Sequence, residues 1–121
     1  MIFDGHSDLL YDVTRRRLAG ENCVLERRHR QKLRKGRIGG LGLSLWVTAE
    51  PDSFWAAYPG WDGWRRTEEM MACFQAELAD SPWLVPVRTA AEAREVQAAG
   101  KTFAFLAVEG MEPGGNRLER L

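Results

Sequence analysis

Residues 102–110 read TFAFLAVEG, an uninterrupted apolar run from Thr102 to Val108 that ends in Glu109 and Gly110. Such a run between turn signals predicts a strand buried on both faces, as in a parallel sheet. Just upstream, Thr89 and Glu92 form a Thr-x-x-Glu capping box that starts a helix, and Gly100 supplies the position after its end. Further back, Asp62 suits the N-cap of a helix over Gly63 to Ala79, in which Trp64, Thr67, Met71, Phe74 and Leu78 form an apolar stripe. Arg65, Arg66, Glu68, Glu69 and Glu77 are expected on its other faces. Asp80, Ser81 and Pro82 end that helix, and Trp83 to Val87 read as a short extended piece broken by Pro86.

Residues 38–48, IGGLGLSLWVT, alternate in an informative way. Leu41, Leu43, Leu45 and Val47 share one face, while Gly40, Gly42 and Ser44 leave the other almost bare before Trp46 closes it. A bare face admits a neighbouring side chain or a ligand, or belongs to a plain glycine-rich strand. The first eight residues, MIFDGHSD, read as a strand, followed by a helix over Leu9 to Arg17 with Leu10, Val13 and Arg17 on one face. The chain thus alternates strand and helix, the pattern of an α/β fold with a parallel sheet.

With 121 residues there is room for one domain, but not for a complete (β/α)8 barrel of about 250. Lys+Arg and Asp+Glu both number 17, so the chain lacks the net positive charge on which nonspecific nucleic-acid binding depends. The basic stretch from Glu26 to Arg37 has no interleaved aromatic residue and is read as a solvated surface segment. Cys23 and Cys73 lie far apart without a partner motif and are expected as reduced thiols. No secretory leader and no membrane span is visible, so a cytoplasmic protein is expected. Residues 49–62 have loop composition yet carry Phe54, Trp55, Tyr58 and Trp61, which line a pocket, cover a core or form a subunit contact.

His6 and Asp8 are one residue apart, so an extended backbone presents both to one side. An imidazole nitrogen and a carboxylate oxygen so placed suit Zn(II) and its neighbours; a turn or a simple His–Asp hydrogen bond is the other reading. Glu109 shifts that balance. A carboxylate at the C-terminal end of a buried strand stands on the face where parallel α/β folds place their sites, and it needs a cation or hydrogen bonds. If the strands share a sheet, His6, Asp8 and Glu109 converge at one end of it.

Three segments are similar to one family. FDGHSD (residues 3–8) resembles the opening motif of the membrane (renal) dipeptidases, metal-dependent hydrolases on an amidohydrolase-like barrel. LRKGRIGG (residues 33–40) is similar to that family's approach to its second strand, and AVEG (residues 107–110) to the segment around its bridging glutamate. The resemblance implies the first three strand/helix units of a partial (β/α)8 TIM-type barrel, with residues 1–121 as the N-terminal part of a larger, truncated domain. It implies a binuclear zinc site in which His6 and Asp8 hold one ion, Glu109 bridges both as the catalytic carboxylate, and Asp4 orients a ligand from behind. The implied reaction is hydrolysis of dipeptide amide bonds by a metal-bound hydroxide.

The family's later histidines have no counterpart. His29 stands where the family carries an acidic residue and is given no metal role. The chain stops at Leu118 to Leu121, where a further helix is expected to begin. The 121 residues are therefore expected to be incomplete for catalysis, with dipeptides as substrates, neither nucleic acid nor membrane as partner, and a homodimer left open. Two alternatives stand beside this reading: another metal-dependent amidohydrolase acting on cyclic amides or lactones, and a noncatalytic α/β module.

Overall fold

The computed structural model describes residues 1–115, 117 and 119. Leu118, Arg120 and Leu121, where the next helix is expected to begin, lie outside the described residues. The elements in chain order are β1 (Ile2–Ser7), α1 (Leu9–Leu18), a π-helical turn (Leu25–His29), α2 (Arg30–Lys35), β2 (Ile38–Trp46), a 3-10 turn (Phe54–Ala57), α3 (Gly63–Ala79), β3 (Leu84–Pro86), α4 (Ala90–Ala98) and β4 (Thr102–Glu109). All strand pairs are parallel and the sheet order is β1-β2-β4-β3. The three expected strands are therefore adjacent, and they form the partial TIM-type barrel wall. A fourth strand adds to them: the extended piece around Pro86 becomes β3, which pairs with Thr102–Ala104 at the outer edge, where a proline costs least.

Strand β2 sorts its residues as its alternation predicts. Leu41, Leu43 and Val47 are wholly buried against α1 and the neighbouring helices, with Leu10, Val13, Val24, Leu25, Trp55 and Met70 in the same core. The opposite face is bare because two neighbours need the space. A Cβ on Gly40 would meet the ring of Phe103, and one on Gly42 would lie 2.5 Å from the carbonyl oxygen of Gly5 on β1. Phe103 in turn packs with Val87 and Ala93, so α4 covers the N-terminal half of this glycine face. The C-terminal half carries Ser44 and Trp46, in register with Ala107 and Glu109.

Helix α3 departs from the periodicity reading. Its core face is Gly63, Arg66, Met70, Cys73, Phe74 and Glu77, so Arg66 and Glu77 are buried rather than outward. Glu77 is fully partnered, whereas Arg66 is satisfied through one guanidinium nitrogen and leaves its buried Nε without a partner among the described residues. Glu77, fully buried, accepts from Arg17 at 2.6 Å and from the backbone N–H of Leu25 at 2.8 Å, joining α1, the π-helical turn and α3. Arg66 donates to the carbonyl of Trp61 at 2.8 Å. Of the expected stripe, Phe74 is in the core and Met71 and Leu78 pack against it, and the three also line a groove with Pro86, Val87, Phe105 and Leu106. Strand β4 also differs from its expectation. Phe103 and Ala104 are buried, but Val108 is half exposed, because β3 covers only the first half of the strand.

Both predicted caps are present. Asp62 accepts from Arg65 N at 2.8 Å, and the Thr89–Glu92 box is reciprocal. Gly100 takes the left-handed conformation at φ 71° that ends α4. The cysteines are both free. The aromatic loop covers the core: Trp55 is wholly buried, with Phe54, Tyr58 and Trp61 packed around it. The basic segment Glu26 to Arg37 is largely exposed, as expected, and Arg28 and Arg30 pair with Glu21 and Glu26. His29 binds the Asp12 carboxylate at 2.9 Å. Burial pushes the Asp12 carboxyl up, but hydrogen bonds from Arg15, Arg16 and His29 outweigh it and bring it down to about 2.

Two tests follow from this packing. Gly42→Ala is expected to destabilise the chain by about 1–3 kcal/mol, because backbone must move, and Gly40→Ala by less, because a ring can yield; urea titration of the two variants checks the order. A carboxyl whose folded-state pKa is depressed contributes stability above its ordinary 3.8, and that contribution is lost as pH falls toward about 2. The difference in urea midpoint between the wild type and Asp12→Asn should therefore be constant above that window and narrow through it.

Candidate active site

The three chemistry-bearing residues meet at the C-terminal edge of the sheet. Glu109 is the last residue of β4 and is paired with Trp46 on the glycine face. On β1, Phe3 pairs with Gly40 and Asp4 with Leu41, but the next pairing is Ser7 with Leu43. From Asp4 to Ser7 the strand spends three steps against two on β2, a β-bulge. The bulge reverses the alternation. Phe3 before it, and His6 and Asp8 after it, all come to the glycine side, whereas an unbroken strand would place Phe3 opposite His6.

The result is a compact group. His6 Nε2 lies 3.2 Å from Glu109 Oε2 and 3.5 Å from Asp8 Oδ1. One ligand atom from each of the three lies within 4.8 Å of the other two, a span that a single ion can bridge. The side chains of His6 and Asp8 are 61% and 62% exposed and that of Glu109 is 43% exposed, so solvent and ligands reach all three. Among the described residues this is the one group of three or more His, Cys, Asp or Glu side chains so placed. An imidazole nitrogen with two carboxylates is a donor set suited to zinc and similar divalent ions.

Asp4 lies behind the group. Its Oδ1 accepts from the backbone N–H of His6 at 3.3 Å, so it acts on the bulge rather than on an imidazole nitrogen. His29 is held by Asp12 on the helical side and has no part in the group.

Sequence reasoning missed Ser44. It is nearly fully buried on the bare face of β2, and its hydroxyl donates to Glu109 Oε2 at 2.6 Å. The signal was present as a lone hydroxyl in a glycine face, but its partner depends on the β2–β4 register. Thr48 plays a similar part just beyond the strands, donating to Glu112 at 2.8 Å. That hydrogen bond holds the Glu112 carboxyl below its usual range.

The membrane dipeptidase family (Peptidase family M19) matches residues 1–121. The chain belongs to the membrane dipeptidase family. Its fold is also that of a solved metallo peptidase from Rhodobacter sphaeroides, liganded with a phosphinate mimic of the dipeptide L-Ala-D-Ala. That structure superposes with a TM-score of 0.71 at 20% sequence identity and covers 93% of this chain. The dipeptidase-family chain spans 38% of that protein's length. Comparison with curated proteins gives no match. Among the described residues, no helix of this family member is long and apolar enough to cross a membrane.

Proposed function

We propose that this chain carries one metal position of a zinc-dependent dipeptidase, with His6 and Asp8 as ligands of one ion and Glu109 as a carboxylate shared with a second. The observation that supports it most directly is the convergence of these three side chains, in a chain of this family, at the C-terminal sheet edge. Zinc held there would polarise a substrate carbonyl and lower the pKa of water. The chain's own residues prepare that position. Ser44 holds Oε2 of Glu109 and leaves Oε1 without a hydrogen bond among the described residues. Asp4 accepts from the backbone N–H of His6 and so steadies the bulge from which the imidazole projects. Dipeptides are the proposed substrates, in keeping with the dipeptide mimic bound by the Rhodobacter sphaeroides protein. Three side chains complete one position and leave the second with Glu109 alone among the described residues. The 121-residue chain is accordingly proposed to bind metal and to turn dipeptides over weakly or not at all.

Equilibrium dialysis with metal analysis tests the assignment. The wild-type chain should retain one zinc, and His6→Ala, Asp8→Asn and Glu109→Gln should each lose it while unfolding, in metal-free buffer, at the wild-type urea concentration. Equal zinc retention by the wild type and the combined triple variant would overturn the site. Ser44→Ala should weaken zinc retention by about tenfold or more, since outer hydrogen bonds to a ligand typically contribute that much. A Ser44→Ala chain with wild-type zinc affinity would show that the 2.6 Å contact does not prepare Glu109.

A further inference from the structure

Beside the three-residue group opens a cavity of about 260 Å³, lined by Asp8, Tyr11, Trp46, Glu50, Asp52 and Ser53. It lies where α1 begins, where β2 ends and where the following loop returns, on the same sheet edge as Glu109. Two features define its chemistry. Its walls are aromatic: the rings of Tyr11 and Trp46 are 5.4 Å apart, and Tyr11 is fixed by accepting from the backbone N–H of Phe54 at 2.9 Å. Its charge is of one sign. Asp8, Glu50 and Asp52 are acidic, no basic residue lines it, and neither Glu50 nor Asp52 has a side-chain partner among the described residues. The volume falls below the roughly 300–1,000 Å³ of pockets that enclose a whole drug-sized ligand, and suits one side chain.

We propose that this cavity receives a cationic side chain of the substrate, so that the site favours dipeptides containing lysine over isosteric uncharged ones. The proposal rests on the dipeptidase reading for what the substrate is. The cavity shares Asp8 with the proposed metal position, which puts its mouth next to the reacting bond. With Asp8 engaged by metal, Glu50 and Asp52 supply the negative charge. The alkyl stem of the side chain lies along the rings of Tyr11 and Trp46, which also attract its ammonium group.

The test uses the whole chain, free of zinc and loaded with it, and follows the indole resonance of Trp46 by NMR. The probes are Nα-acetyl-lysine amide and Nα-acetyl-norleucine amide. The lysine probe is expected to shift that resonance saturably, with an affinity about tenfold above the norleucine probe, the combined effect of a cation–π contact and partly exposed ion pairs. Glu50→Gln/Asp52→Asn should remove the preference while zinc retention stays as in the wild type. Equal affinities, absence of any shift at Trp46, or a preference that survives in the double variant would each overturn the proposal. A wild-type chain that prefers the lysine probe but retains no zinc would count against the metal reading and leave the cavity assignment standing.

Discussion

The site depends on β2 being central and parallel to both neighbours. Parallel pairing sends the C-terminal ends of β1 and β4 to the same edge of the sheet, although they are about a hundred residues apart in the chain. Nothing local brings His6 to Glu109. The distance of 3.2 Å between them is the product of two registers, β1 on β2 and β2 on β4, each of which would misplace the group if it slipped by one residue.

The glycine face of β2 is what allows those registers. At its lower end the missing side chains admit Phe103 and the backbone of β1, and α4 covers that end with Ala93. At its upper end the same face turns polar, with Ser44 set against Glu109. One strand surface therefore does two jobs in sequence, close packing first and ligand positioning after. The opposite surface of the sheet is occupied by the helical layer, whose internal cohesion includes the buried Glu77 carboxylate between Arg17 and the Leu25 backbone.

Much of this was legible from residue order. The strand at 102–109, the alternation of β2, both helix caps and the convergence of His6, Asp8 and Glu109 follow from short-range pattern and from the habit of parallel sheets. The misses have a common cause. Arg66 and Glu77 looked outward because periodicity scores charge as exposed, and it cannot see that Trp61, Arg17 and Leu25 wait for them. Ser44 looked like part of a bare face because its partner is 65 residues away. Val108 looked buried because an apolar strand does not reveal how much of its length the neighbour covers. In each case the deciding contact is long-range.

The bulge in β1 has a consequence for how this strand tolerates change. Before it, Phe3 stacks on Phe103 and answers to packing; after it, His6 and Asp8 answer to the site. The extra residue acts as a phase break that separates a packing half from a ligand-presenting half within six residues. Side chains in the first half can drift in size without rotating the ligands, whereas a single insertion or deletion within the bulge would keep every residue type and turn the imidazole toward the helices.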